Sequence, residues 1–138
     1  MSDMQKQKAV IDGSNIAYLE APKQPRANIK NIFAVIRAVE ERGLDPIVIV
    51  DPTIGSIVAD THELERLLAE PYVESVPEGS DAAALVLKRA SENDAVIVSN
   101  STYIDYFEEY PWIEQRRTAV AVVDGTVHLL DYRLRKAS

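Results

Sequence analysis

The chain of 138 residues contains no cysteine. That excludes a disulfide framework and any thiolate metal site, and it points to an intracellular, cytoplasmic setting. Histidine is nearly as scarce. His62 and His128 stand far apart with no companion ligand at motif spacing, so neither is given a role. No apolar run approaches the length of a membrane span, so no membrane is expected among the partners. The opening residues MSDMQKQK are polar and lead directly into an apolar segment, so no signal peptide is expected. Basic residues are in deficit, 15 Lys and Arg against 22 Asp and Glu, for a formal net charge of -7. The deficit argues against gripping nucleic acid through a broad basic surface. It leaves room for a nuclease whose carboxylates meet phosphate through divalent cations.

What is present suits one ordinary core. At 46% hydrophobic and 27% charged, the composition is that of a globular protein needing no staple. No linker, internal repeat or low-complexity block divides the chain. A single domain over 1–138 is expected, its core from about residue 8 to residue 130, between polar N-terminal residues and a basic C-terminal tail.

Lys8–Asp12 is short, apolar and stopped by Gly13, which reads as a buried strand. Residues 19–27, with two prolines and mixed charge, read as a loop. Asn28 is placed to cap a helix to Arg42 in which Ile29, Ile32, Phe33, Ile36 and Val39 share a face, and Gly43 to end it. Pro46–Val50 is a second apolar strand, closed by Asp51-Pro52. Asp60 or Thr61 heads a short helix with Leu64, Leu67 and Leu68 on one side, and Pro71 stops it. Tyr72–Val76 reads as a third strand, and Ser80 as the cap of a helix to about Ser91. Ala95–Val98 is a fourth strand, followed by Ser99-Asn100-Ser101 and a short helix over Tyr103–Glu109 that Pro111-Trp112 breaks. Thr118–Val123 and Thr126–Leu130 flank Asp124-Gly125, a two-residue hairpin signal. Strands alternating with helices imply an α/β fold with a mainly parallel sheet covered on both faces.

Ligands of open parallel sheets sit beyond the carboxyl ends of the strands, where strand order reverses. Asp12, Asp51 and the Ser99-Asn100-Ser101 run occupy such ends. Asp81, in the first turn of a helix, and Asp105, four residues after Ser101, fall near the same edge. Asp12, Asp81 and Asp105 can thus converge on one pocket, where their mutual repulsion calls for a cation. Mg²⁺ or Mn²⁺ suits this donor set. Each residue also has a plainer explanation. Asp12-Gly13 can be a strand-ending turn, Asp81 can answer the helix dipole alone, and Asp105 can be a solvated helix residue.

Several segments together resemble the NYN branch of the PIN-like nucleases, which includes Regnase-type ribonucleases and prokaryotic stand-alone proteins. They are VIDGSNIAY at 10–18, IVIVDPT at 47–53, VPEGSDAAAL at 76–85, DAVIVSNSTYIDY at 94–106 and YPWI at 110–113. The DGSN and IVSN-x-x-Y-x-D elements, in this order, carry most of the specificity. The resemblance implies a three-layer α/β sandwich around a mostly parallel sheet of about five strands. It implies Mg²⁺- or Mn²⁺-dependent cleavage of single-stranded RNA. By residue, it makes Asp12, Asp81 and Asp105 the metal ligands and Asn15 the side chain that orients Asp12. Ser14 and Ser101 would contact water or phosphate, and Lys23, Arg26 and Lys30 the RNA backbone, with Arg116 and Arg117 as alternatives.

This sequence also departs from the family pattern. Ser101 stands where the family usually has another aspartate, and Ala83 and Ala84 where many prokaryotic relatives carry acidic residues. The site is thinned to three carboxylates plus neutral oxygens, which should weaken ion binding. A catalytically weak or inactive PIN-like module that binds RNA or a protein partner is therefore the alternative. A phosphotransfer or phosphatase domain on a similar sheet is a further one, although no second aspartate lies two places after Asp12. An apolar helix face, or the hairpin at Asp124-Gly125, offers a place for a homodimer contact, with nothing in the sequence to select it.

Overall fold

The computed structural model describes residues 6–19, 28–51, 61–124 and 126–130. Five strands run parallel and a sixth closes one edge antiparallel. The order along the chain is β1 Lys8–Asp12, α1 Gly13–Ala17, α2 Ile29–Glu41, β2 Asp45–Val50, α3 Thr61–Leu68 and β3 Val73–Ser75. It continues with α4 Ala82–Asn93, β4 Val96–Val98, a 3₁₀ turn over Ile104–Tyr106, α5 Ile113–Arg116, β5 Arg117–Val123 and β6 Thr126–Leu130. Across the sheet the order is β3-β2-β1-β4-β5-β6. The chain winds outward from β1 through β2 to β3, then returns to β4 on the other side of β1. Strand order therefore reverses between β1 and β4.

Alternation along the strands splits the core in two. Ala9, Ile11, Val48, Val50, Val98 and Val120 face α1, α2 and α3. Val10, Ile49 and Ile97 face α4 and Ile113. The molecule is thus a three-layer α/β sandwich, as the resemblance implied, with six strands where about five were expected. Because β1, β2 and β4 are covered on both faces, their apolar runs show no polar alternation.

Local signals set most boundaries. The Asn28 side chain accepts from Lys30 N and opens α2, while Gly43, at φ +78°, follows its end. Other boundaries differ from expectation. Ser80 does not cap α4. Asp81 does, its carboxylate accepting from Ala83 N. The helix ends at Asp94, in the left-handed region at φ 50°. The helix expected over Tyr103–Glu109 shrinks to the 3₁₀ turn Ile104–Tyr106, and the short α5 after Trp112 was not anticipated. Arg89, on α4, bonds both carboxylate oxygens of Glu74 at 2.8 and 2.7 Å and moors the helix to β3. The loop over 20–27, the cap at Asp60 and Gly125 lie outside the described residues. Among the described residues no helix is long and apolar enough to cross a membrane.

Candidate active site

The reversal between β1 and β4 places the ends of both strands side by side. Ile11 is level with Val98, so Asp12 and Ser99 emerge as neighbours at the carboxyl edge. Asp12 is the N-cap of α1, and its Oδ1 accepts from Asn15 N at 3.3 Å. Its Oδ2 accepts two hydroxyls, from Tyr103 at 2.5 Å and from Ser99 at 3.4 Å. Asp12 is only 7% exposed. Burial pushes its pKa up, hydrogen bonds from Tyr103, Asn15 and Ser99 partly offset this, and the nearby charge of Asp81 adds to the rise. Every neighbour named here is a neutral donor or another acid. A buried carboxylate in that company is incompletely compensated.

Asp81 reaches the same edge from the start of α4. Its Oδ1 accepts from Ala83 N at 2.9 Å and its Oδ2 from the Tyr106 hydroxyl. That bond pushes the Tyr106 pKa up to about 12. Asp105 lies exposed in the 3₁₀ turn, next to Tyr106, with no hydrogen bond or ion pair among the described residues. The expected convergence of three carboxylates is therefore partial. Asp12 and Asp81 feel each other's charge, but among the described residues no three acidic or histidine side chains form a metal-holding group.

The polar residues around Asp12 lock three elements together. The Asn15 side chain was expected to orient Asp12. Instead its backbone N–H does so, while its Oδ1 accepts from Asn100 N at 2.9 Å and ties α1 to the end of β4. Asn100 in turn clips β5, donating to Val120 O at 2.8 Å and accepting from Val120 N at 2.7 Å. Ser14 Oγ accepts from Asp51 N at 3.2 Å and holds α1 to the end of β2. Ser101 is half-buried, and its N–H donates to Ser99 Oγ at 3.0 Å.

Among the expected RNA contacts, Lys30 is exposed at the start of α2, whereas Lys23 and Arg26 lie outside the described residues. The alternatives are engaged internally. Arg116 donates to the carbonyls of Ala95 and Ala90 and stacks 3.8 Å over Trp112, and Arg117 donates to Ser99 O at 3.2 Å. The Tyr103 and Tyr106 hydroxyls on the Asp12 and Asp81 carboxylates were not anticipated. Tyr103 is the tyrosine of the IVSN-x-x-Y-x-D element and Tyr106 follows its aspartate, but the sequence reading gave neither side chain a role.

The donor set suits a hydrated divalent ion. Mg²⁺ and Mn²⁺ are commonly held by one or two carboxylates with water filling the remaining positions. Asp12 Oδ1 carries a single hydrogen bond and keeps acceptor capacity, and Asp81 supplies a second charge nearby.

By structure the chain is similar to the crystal structure of nuclear proteinaceous RNase P 2 (PRORP2) from A. thaliana. The TM-score is 0.74 at 17% identity, covering 93% of this chain and 30% of that one. A second structure, Arabidopsis thaliana nuclear protein-only RNase P 2 (PRORP2), aligns with a TM-score of 0.72 at 16% identity, covering 94% of this chain and 30% of that one. The chain thus spans under a third of the length of these proteins, and the likeness is one of fold. No curated protein matches it by sequence. The family model for the Zc3h12a-like Ribonuclease NYN domain matches residues 5–136, nearly the whole chain and every segment that carried the resemblance. The chain belongs to the Zc3h12a-like ribonuclease NYN-domain family.

Proposed function

We propose that this protein is a ribonuclease that hydrolyses phosphodiester bonds of single-stranded RNA with Mg²⁺ or Mn²⁺, at the edge formed by Asp12 and Asp81. The observation that carries the reading is the buried Asp12 carboxylate. It stands at the reversal of strand order, beside a second carboxylate and with no cation among the partners described. A purely structural N-cap has no need of burial or of an acidic neighbour.

Asp12 and Asp81 would hold the ion. When bound, it supplies positive charge against the phosphate oxygens and lowers the pKa of the attacking water. Asn15 fixes Asp12 through its backbone N–H and joins α1 to β4 through its side chain. Ser101 and Ser14 line the strand ends where phosphate or water would sit. Asp105, exposed on the turn, is available to a second ion or to the attacking water without belonging to the pair. Lys30 is the basic residue best placed to meet the RNA backbone, with Lys23 and Arg26 in the preceding segment. The chain carries a formal net charge of -7, so binding leans on the ion, and weak RNA affinity without divalent metal is part of the reading.

The direct test is labelled single-stranded RNA incubated with Mn²⁺, with Mg²⁺ and with EDTA. Cleavage in both metals and none in EDTA supports the reading. Intact RNA under all three leaves the binding-only module, which the loss of a carboxylate at Ser101 favours.

Ser101 yields a prediction of its own. Its backbone bonds the same Ser99 hydroxyl that contacts Asp12, so a carboxylate there would enter the site. Ser101→Asp is expected to tighten Mn²⁺ binding about tenfold, consistent with roughly 1–2 kcal/mol of extra Coulomb attraction in a partly wet site. Titration calorimetry reads this directly, and an unchanged affinity would place residue 101 outside the ion's reach.

A further inference from the structure

Two carboxylates on different elements are held in the same way. On each, one oxygen accepts from a backbone N–H of the helix it caps, Asp12 from Asn15 and Asp81 from Ala83. The other oxygen accepts from a tyrosine hydroxyl, Asp12 from Tyr103 and Asp81 from Tyr106. Both tyrosines belong to one short segment. Tyr103 immediately precedes the 3₁₀ turn, and Tyr106 N–H donates to Tyr103 O at 2.9 Å, closing it. One turn therefore touches both acids.

The turn is shaped for this contact. Tyr103 sits in the left-handed region at φ 55°, which costs a non-glycine residue about 1–2 kcal/mol and persists only where surroundings impose it. Tyr103 is 4% exposed and packs among Ile97, Val10 and Ile113, while Ile104 beside it is left 67% exposed. The turn thus buries the tyrosine at the expense of an isoleucine, the reverse of what hydrophobicity alone selects. The difference between the two side chains that serves the site is the hydroxyl.

On this basis, and resting on the nuclease reading above, we propose that Tyr103 and Tyr106 are positioning residues. They brace the end of β1 against the start of α4 and set how the two carboxylates face a shared ion. Tyr103 and Ser99 together fill Oδ2 of Asp12, so Oδ1 is the oxygen turned toward the ion. Tyr106 steadies the exposed Asp81 in the same manner, with a smaller share because that carboxylate remains in water. Neither hydroxyl touches substrate; both act through the acids.

Tyr103→Phe keeps the ring, the backbone and the packing and removes one hydroxyl. It is expected to weaken Mn²⁺ binding by roughly 10- to 100-fold, the range seen for outer hydrogen-bond partners of metal ligands. The KM for RNA at saturating Mn²⁺ and the far-ultraviolet spectrum should be unchanged. Tyr106→Phe should weaken binding by about 2- to 10-fold, the worth of one partly solvated hydrogen bond. Tyr110→Phe makes the same chemical change in the aromatic cluster beside Trp112 and serves as the control, with no effect expected. Mn²⁺ affinity measured by calorimetry on the four proteins decides the matter. Wild-type affinity in both Tyr103→Phe and Tyr106→Phe overturns the brace while leaving the nuclease reading intact. Should Tyr103→Phe fail to fold, wild-type affinity in Tyr106→Phe alone overturns it. A wild type that neither binds Mn²⁺ nor cleaves RNA removes the reading and the brace together.

Discussion

Replacing Asp12 by Asn is expected to cut RNA cleavage by at least roughly 100-fold, more than losing an outer partner of a metal ligand costs. The fold should survive. Asn is nearly isosteric and can still accept from Asn15 N–H, which opens α1. Stability at neutral pH should match or exceed that of the wild type, for an electrostatic reason. Burial raises the Asp12 pKa in the folded protein above its ordinary value of 3.8. Between those two values the unfolded chain has released a proton that the folded chain retains. The contribution of this group to stability is therefore largest below 3.8 and falls as pH rises through the folded pKa. Asn carries no such charge, so the variant escapes the loss at neutral pH, and its advantage over the wild type should vanish in acid. Thermal melts at pH 3.5 and pH 7 check the sign. Loss of activity with unchanged or raised stability is the signature of a functional carboxylate. A large fall in stability would instead make Asp12 a structural cap.

Gly13→Ala is expected to do the opposite, unfolding the protein before it touches the chemistry. A Cβ at this position would lie 2.7 Å from Ile49 O and 3.1 Å from Val50 Cγ2. The first of these is backbone in a strand covered on both faces, so it cannot step aside cheaply. Either α1 or β2 must move. A destabilisation of about 2–3 kcal/mol follows from overpacking of this kind. For a domain of this size that lowers the melting temperature by roughly 10 °C. Because α1 begins directly after Asp12, displacement of the helix also turns the carboxylate away from Ser99 and Tyr103. Activity measured well below the melting temperature should therefore fall as well. A melting temperature within about 2 °C of the wild type, a shift worth under 1 kcal/mol, would show that the strand accommodates the methyl group.

These two residues, adjacent in the chain, show what the sequence discloses and what it withholds. Asp12 was legible because an unbroken apolar strand ends in an acid followed by Gly-Ser-Asn, and buried parallel strands place such ends at the ligand-binding edge. Gly13 was read only as the residue that stops the strand, which it does by opening α1. Its φ is not positive, and its need for a bare α-carbon comes from Ile49 and Val50, nearly forty positions away. Asp81 was found, yet its capping role was assigned to Ser80. The two are neighbours with similar capping preference, and only the helix direction separates them. The strands were readable nearly residue by residue, since short apolar runs punctuated by Gly, Pro and Asp leave little freedom. The Tyr103–Tyr106 turn was not. Its conformation depends on a left-handed tyrosine, which local propensity disfavours and which tertiary contacts impose. Asp105 lies exposed in that turn, and among the described residues it forms no metal-holding group with Asp12 and Asp81.

Family membership places the chain among ribonuclease NYN domains. In the proposed nuclease reading, Asp12 and Asp81 suffice to hold a catalytic ion. Calorimetric titration of Mn²⁺ into the wild type and into Asp12→Asn tests it most directly. The expected result is one saturable binding event in the wild type, abolished in Asp12→Asn, with the wild type alone gaining thermal stability as Mn²⁺ is added, by about 2.7 kcal/mol at a hundredfold excess over Kd. Equal binding in the two proteins, or no binding in either, would contradict it.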